Sequence, residues 1–261
     1  MQLTIKKGFA IASLLILPLC GNAAIDLGNT IRSNLNNNFT YGDFGYRSGF
    51  VSPVFFRNNT DSYSQTVINN AGTEIWNAFS IVFTNEVGDW WNPPFENRVA
   101  VIEMDTGTTW MAFAGAYIVD DVTGNSTSCT ITSWTGVNVT TGDLIGLTTN
   151  GTMSGACNGQ AVNAGLIIMN TNQYTQLYGT GGTPPDRQKQ HLLLHEFGHL
   201  SGIGHVTPRQ CTSVMIQSMY ILNSTTGVPT TTFACRTATG ADDTPITYGP
   251  DDREMMQFKG F

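Results

Sequence analysis

All four histidines of the 261-residue chain lie in one stretch, HLLLHEFGHLSGIGH, residues 191–205. His195 and His199 stand four apart, so on a helix they project from one face and can approach a single ion. Glu196 sits one step around, close enough to reach a ligand of that ion without binding the ion. Gly202 follows, three residues after His199, where a helix ends in a left-handed residue that glycine adopts without strain. That bend can carry the chain back so that His205 becomes a third ligand. Three neutral imidazoles around a tetrahedral zinc ion leave one position for water, the pattern of a catalytic site rather than a closed structural one. Zinc would bring the pKa of that water towards roughly 7, and Glu196 could take its proton as it attacks a carbonyl. The plainer alternative is a partly buried helix whose histidines satisfy backbone carbonyls. His191 lies two turns before His199, too far along the axis to share the ion, and reads as an ordinary solvent or core histidine.

These residues need a helix to hold them. Thr183, Pro184, Pro185 and Asp186 mark its start, with a capping side chain, proline in the first turn and an acid near the positive end of the dipole. Leu192, Leu193, Phe197 and Leu200 supply its core face. Upstream, residues 25–60 are rich in Asn, Gly and aromatic residues without helical periodicity and read as an extended lead-in. Val67, Ile68, Ala71, Ile75, Ala78 and Phe79 then recur at helical steps, Ser80 breaks the run, and IVFTNEV reads as a strand. RVAVIEMD (98–105), WMAFAGAYIVDD (110–121) and AGLIIMN (164–170) read as further strands. Residues 123–165, dominated by Thr, Asn, Gly and Ser, read as loops and short strands. No repeat or long linker interrupts the chain, so residues 61–261 are expected to form one domain.

With 41% hydrophobic and 12% charged residues the chain should be globular, and its formal charge of −7 argues against nucleic acid or an anionic membrane as partner. Residues 1–24 have the basic start, short apolar run and small residues of a cleaved secretory signal. The apolar run is too short for a spanning helix, and the expected product is a secreted protein, extracellular or periplasmic, and a monomer. Cleavage there removes Cys20, whose alternative role is a lipid anchor, and leaves Cys129, Cys157, Cys211 and Cys235. Of the three pairings open to them, the sequence-local one, Cys129 with Cys157 and Cys211 with Cys235, is favoured. Asn-x-Ser/Thr triplets at Asn38, Asn58, Asn125, Asn138, Asn150 and Asn223 mean glycans only in a eukaryotic host.

HEFGHLSGIGH, residues 195–205, resembles the extended HExxHxxGxxH signature of the metzincin zinc endopeptidases. Their second feature, a methionine turn beneath the metal, has its counterpart in CTSVMIQSMY, with Ser213, Val214 and Met215 as the turn and Ser218 with Met219 as an alternative register. Among metzincins the likeness is closest to matrixins: INNAGTEIWNAFSIVFTNEV is similar to their first helix and strand, and GPDDREMMQFKGF to their closing helix, with Asp251 and Asp252 as paired acids tied to the turn. The resemblance spans roughly residues 61–261. It implies an α+β domain with a twisted, mostly parallel sheet, a backing helix, the zinc helix and a small C-terminal subdomain below the cleft. It further implies one catalytic Zn2+ on His195, His199 and His205, Glu196 as general base, Gly202 and Met215 in support, and a polypeptide substrate lying along an edge strand, 110–121 or 164–170. Residues 214–222 would shape the pocket after the cut.

The chain also departs from that pattern. It lacks a PRCGxPD cysteine switch and the additional histidines of a second, structural zinc. Tyr41, Gly42 and Asp43 are out of register for the aspartate switch of astacins. Gln217 replaces the tyrosine that astacins place after the methionine, leaving Tyr220 or Tyr248 to stand in. Calcium at Asp120 and Asp121 is open beside the reading of a solvated turn. Two other functions stay in play: a catalytically weak zinc-containing binding protein on a protease scaffold, and a hydrolase of non-peptide amides.

Overall fold

A computed structural model describes residues 30–35, 39–108, 110–153, 155–207, 211–216, 221–222, 229–230 and 244–261. Residues 1–29 with Cys20, on which the expectation of a secretory signal falls, the triplets' Asn38 and Asn223, and Gln217, Ser218, Met219, Tyr220 and Cys235 lie outside the described residues.

A six-stranded sheet carries the fold. In spatial order its strands are Phe83–Asn85, Val54–Asn59, Arg98–Met104, Ala164–Asn170, Ala112–Asp120 and Asn125–Ser128. The first four are mutually parallel and the last two pair antiparallel. The class is α+β with a mostly parallel central sheet and, among the described residues, four α-helices. AGLIIMN is apolar almost without interruption because it is interior: every residue of Ala164–Asn170 is buried, with a strand on each side and packing on both faces.

Each sheet face has its own core. Val54, Phe56, Val99, Val101, Ile167 and Met169 meet the helices. Ala100, Ile102, Leu166 and Ile168 meet Trp90 and Leu144, with Trp134 and Tyr117 packed at the margin. The polar stretch after residue 121 is therefore a cover for the second face, joined to it by the Cys129–Cys157 disulfide and by Trp90 Nε1 donating to the Gly142 carbonyl at 3.0 Å.

Helix α1 spans Gln65–Phe79, opened by Ser64, whose side chain accepts from Val67 N, and closed by left-handed Ser80 at φ 59°. Its buried stripe is Val67, Ile68, Ala71 and Ile75, as the periodicity predicts, together with Glu74, which accepts from Tyr248 N at 2.8 Å. IVFTNEV is strand only over Phe83–Asn85. Between the central strand and the histidine helix lies a short helix that the periodicity did not reveal, α2 (Thr171–Tyr178), capped by Asn170.

The histidine helix, α3, spans Asp186–Leu200 with Pro185 as its cap residue and no side-chain cap bond. Thr183 is thus not the cap. A residue before proline is driven extended, so Pro184 cannot be helical, and Pro185 itself stays extended at ψ 153°. Asp186 still occupies the first turn, where its charge suits the helix dipole.

The segment read as a lead-in is woven into this architecture. Val54–Asn59 is a strand of the main sheet, and Thr40–Asp43 pairs antiparallel with Ile203–Thr207, directly after α3.

Candidate metal centre

Four elements meet at the histidines. His195, Glu196 and His199 lie on α3 and are buried. Both rings are anchored from behind: His195 Nδ1 lies 2.6 Å from the Val214 carbonyl and His199 Nδ1 2.9 Å from the Ile203 carbonyl. A carbonyl can only accept, so each Nδ1 carries the proton and each Nε2 keeps its lone pair for a ligand. Such anchoring is the usual support of a metal-binding imidazole.

His205 arrives on the Ile203–Thr207 strand. Its ladder with Thr40–Asp43 shifts register between Ile203 and Val206, so Gly204 and His205 occupy an irregularity of the kind that re-aims a side chain. The rings of His195, His199 and His205 have centroids 4.6, 5.2 and 4.9 Å apart. Their ligand nitrogens all lie within 4.8 Å of one another, and they form the one such cluster among the described residues.

The return from α3 to this strand depends on Gly202. Its φ is +93°, and a Cβ there would stand 2.2 Å from the Tyr46 carbonyl oxygen. The same stretch of the former lead-in binds on both sides of the bend: Phe44 N donates to the Gly202 carbonyl at 3.0 Å, and Tyr46 Oη donates to the His199 carbonyl at 2.8 Å.

Below the helix lies Met215, fully buried. A Cβ on Gly198 would come within 2.3 Å of its sulfur, so the methionine occupies the space that the glycine of HEFGH leaves. Met215 packs directly beneath the helical turn joining His195 to His199. Its own turn is held by Asp252 of α4 (Pro250–Phe258). That carboxylate accepts from Ser213 Oγ at 2.5 Å, Tyr41 Oη at 2.8 Å, Val214 N at 3.0 Å and Gly249 N at 3.1 Å. Burial raises its pKa, and the four donors oppose the rise. Asp251 does not share this role and accepts instead from the buried Ser33 Oγ.

Neither protein-family models nor curated proteins give a match to this chain.

Burial dominates the chemistry of the site. It lowers the pKa of His195 to about 4 and of His199 to about 3, so both are neutral at any ordinary pH and could serve as ligands. It raises Glu196 to about 8 in the metal-free protein. A cation nearby favours the ionised carboxylate and opposes that rise. Three converging imidazoles, two of them neutral with fixed tautomers, fit zinc or another borderline divalent ion.

Other candidates have different occupations. His191 is buried with Nδ1 2.7 Å from the Pro245 carbonyl, a core histidine. Asp43 pairs with Lys259 Nζ at 2.5 Å rather than facing the histidines. Tyr248 cannot stand in for the absent tyrosine: it is buried, and its hydroxyl donates to the Leu194 carbonyl at 2.8 Å. Asp120 and Asp121 hold backbone turns, Asp120 accepting from Val122 N and Thr123 N and Asp121 from Phe95 N and Glu96 N. Cys211 is disulfide-bonded to a partner outside the described residues. Sequence reasoning missed Tyr41 and Tyr46 as supports; no local spacing marks them, because their partners are up to 211 positions away.

Proposed function

We propose that the chain is an exported zinc-dependent endopeptidase of matrixin-like, metzincin type, with His195, His199 and His205 holding the metal and Glu196 moving the proton. One observation carries this reading: three imidazoles converge, two with tautomers set by backbone carbonyls, next to a buried carboxyl group on the same helix. Met215 under Gly198, left-handed Gly202 and the grip of Asp252 on Ser213 support the family likeness. Zinc, when bound, polarises a carbonyl and makes water acidic enough to attack near neutral pH. Glu196 accepts the proton of the attacking water and delivers it to the departing amine. Its burial excludes competing solvent and makes the ionised form depend on the cation beside it.

An extended substrate adds to a free sheet edge. Ala164–Asn170 is ruled out, since it already has a partner on each side. Ala112–Asp120 is paired on its far side only over Tyr117–Asp120, which leaves its first residues as the available rim. Purified mature protein should contain about one zinc per chain and cleave casein or gelatin, as a single three-histidine site requires. Glu196→Ala should retain the metal and lose activity by a factor of at least ~10². Metal retained by the unsubstituted protein with no hydrolysis across a broad peptide library would replace this reading with that of a binding protein.

A further inference from the structure

The Ala112–Asp120 strand is only partly free. Its odd-numbered residues turn their peptide groups inward: the Met111 carbonyl accepts from Asn170 N at 2.9 Å and the Tyr117 carbonyl from Asn163 N at 3.1 Å. Even-numbered residues face outward. From Ala116 onward the outer side is occupied. The Ala116 carbonyl accepts from Cys129 N at 2.8 Å, Ala116 N donates to Thr130 Oγ1 at 3.2 Å, and Tyr117 to Asp120 pair with Ser128 to Asn125. The Cys129–Cys157 disulfide pins this cover. At Thr130 the chain turns away to pair with Thr148–Met153. Among the described residues no strand pairs with the outer side of Ala112 and Ala114.

The open part can be placed along the histidine helix. Near the start of α3, Lys189 Nζ lies 5.6 Å from the centre of the Tyr63 ring, whose hydroxyl is 3.2 Å from Met169 Sδ, and Met169 is in register with Ala112. At the end of α3, Leu200 packs on Gly165, which is in register with Ala116. Helix and strand therefore run the same way, which sets the histidines, in the second half of α3, beside the stretch between Ala112 and Ala116. A peptide lying antiparallel to this strand, the somewhat more stable pairing, points its residues upstream of the cut towards Ala116 and its downstream residues towards Ala112.

We propose that this rim pairs with substrate through Ala112 and Ala114 alone, and that the cover pinned by Cys129 denies main-chain pairing upstream of the cut. The substrates are then extended peptides recognised by the residues that follow the scissile bond. This rests on the peptidase reading for the position of the cut, and hydroxamate probes separate the two ideas, because they fix the register at the metal without requiring hydrolysis.

Two alanine peptide series test it on the zinc-loaded full chain, one with the hydroxamate at the amino end, extending downstream, and one with it at the carboxyl end, extending upstream. The downstream series should gain about fivefold in affinity per residue over its first two or three residues, the worth of a ladder hydrogen bond. The upstream series should stay flat after its first residue. Bound downstream peptide should slow hydrogen exchange of the Ala112 and Ala114 amides and leave Ala116 unchanged. The double substitution Cys129→Ser with Cys157→Ser should let the upstream series begin to gain; should that variant fail to fold, the length series on the native chain decides alone. Equal gains in both directions overturn the proposal. Failure of acetohydroxamate itself to bind removes the metal site and the proposal together, whereas asymmetric binding with no hydrolysis of any peptide leaves the proposal standing and removes only the catalytic reading.

Discussion

Asp252 offers the sharpest test of how the metal centre is held, because two substitutions at this one position should behave differently. Asp252→Ala leaves four donors, Tyr41 Oη, Ser213 Oγ, Val214 N and Gly249 N, without their acceptor. Each orphaned buried donor costs about 1–3 kcal/mol, so with partial relief by water the loss should be about 4–8 kcal/mol. That is comparable with the whole stability of an average domain, about 5–15 kcal/mol. Asp252→Asn can keep a hydrogen bond on each of these four partners: the amide oxygen accepts from the two backbone N–H groups, and the two hydroxyls rotate to accept from the amide nitrogen. Its cost should be only about 1–2 kcal/mol, the loss of charge assistance. Val214 carries the signal onward, since its carbonyl orients His195. Zinc affinity should accordingly fall about 10–100-fold in Asp252→Ala and much less in Asp252→Asn. Urea unfolding with a chelator present gives the stabilities, and competition with a chromophoric chelator gives the affinities. Equal unfolding midpoints for the two variants would refute the claim that this carboxylate holds the turn.

Gly202→Ala should be severe, because it joins a left-handed backbone penalty of about 1–2 kcal/mol to a Cβ 2.2 Å from the Tyr46 carbonyl oxygen; near-native thermal stability with full zinc binding would contradict it. The metal-free protein should be most stable near pH 6.5, the ordinary value of histidine. Below it, His195 and His199, lowered to about 4 and 3, resist protons that the unfolded chain accepts, so stability falls with falling pH. Above it, Glu196, raised from 4.5 to about 8, still holds a proton that the unfolded chain has lost, so stability falls as pH rises to about 8. Between pH 4.5 and 6.5 the terms oppose, and two histidines outweigh one carboxyl. Chemical denaturation across this range, with chelator present, should trace a maximum; a monotonic curve would show that burial does not govern these groups.

The spacing of His195, Glu196, His199 and Gly202 was legible in the sequence because it is governed by the helix itself: four residues bring two side chains to one face, and one glycine ends the run. The interior strand Ala164–Asn170 and the stripe on α1 were legible for the same local reason, a periodicity of burial. Local rules failed where the partner is distant. Two consecutive prolines moved the helix start past Thr183, and α2 lacks a strong apolar stripe, burying only Gln173 and Tyr174. Tertiary structure alone decided that residues 40–48 clasp the bend at Gly202, that a register shift aims His205, that Asp252 rather than Asp251 secures the methionine turn, and that a disulfide-pinned strand covers half the rim. A sequence states which groups can donate, accept or ligate and how neighbours a few positions apart must face; which remote groups satisfy one another emerges only when the whole chain closes around a core and every buried donor must find an acceptor.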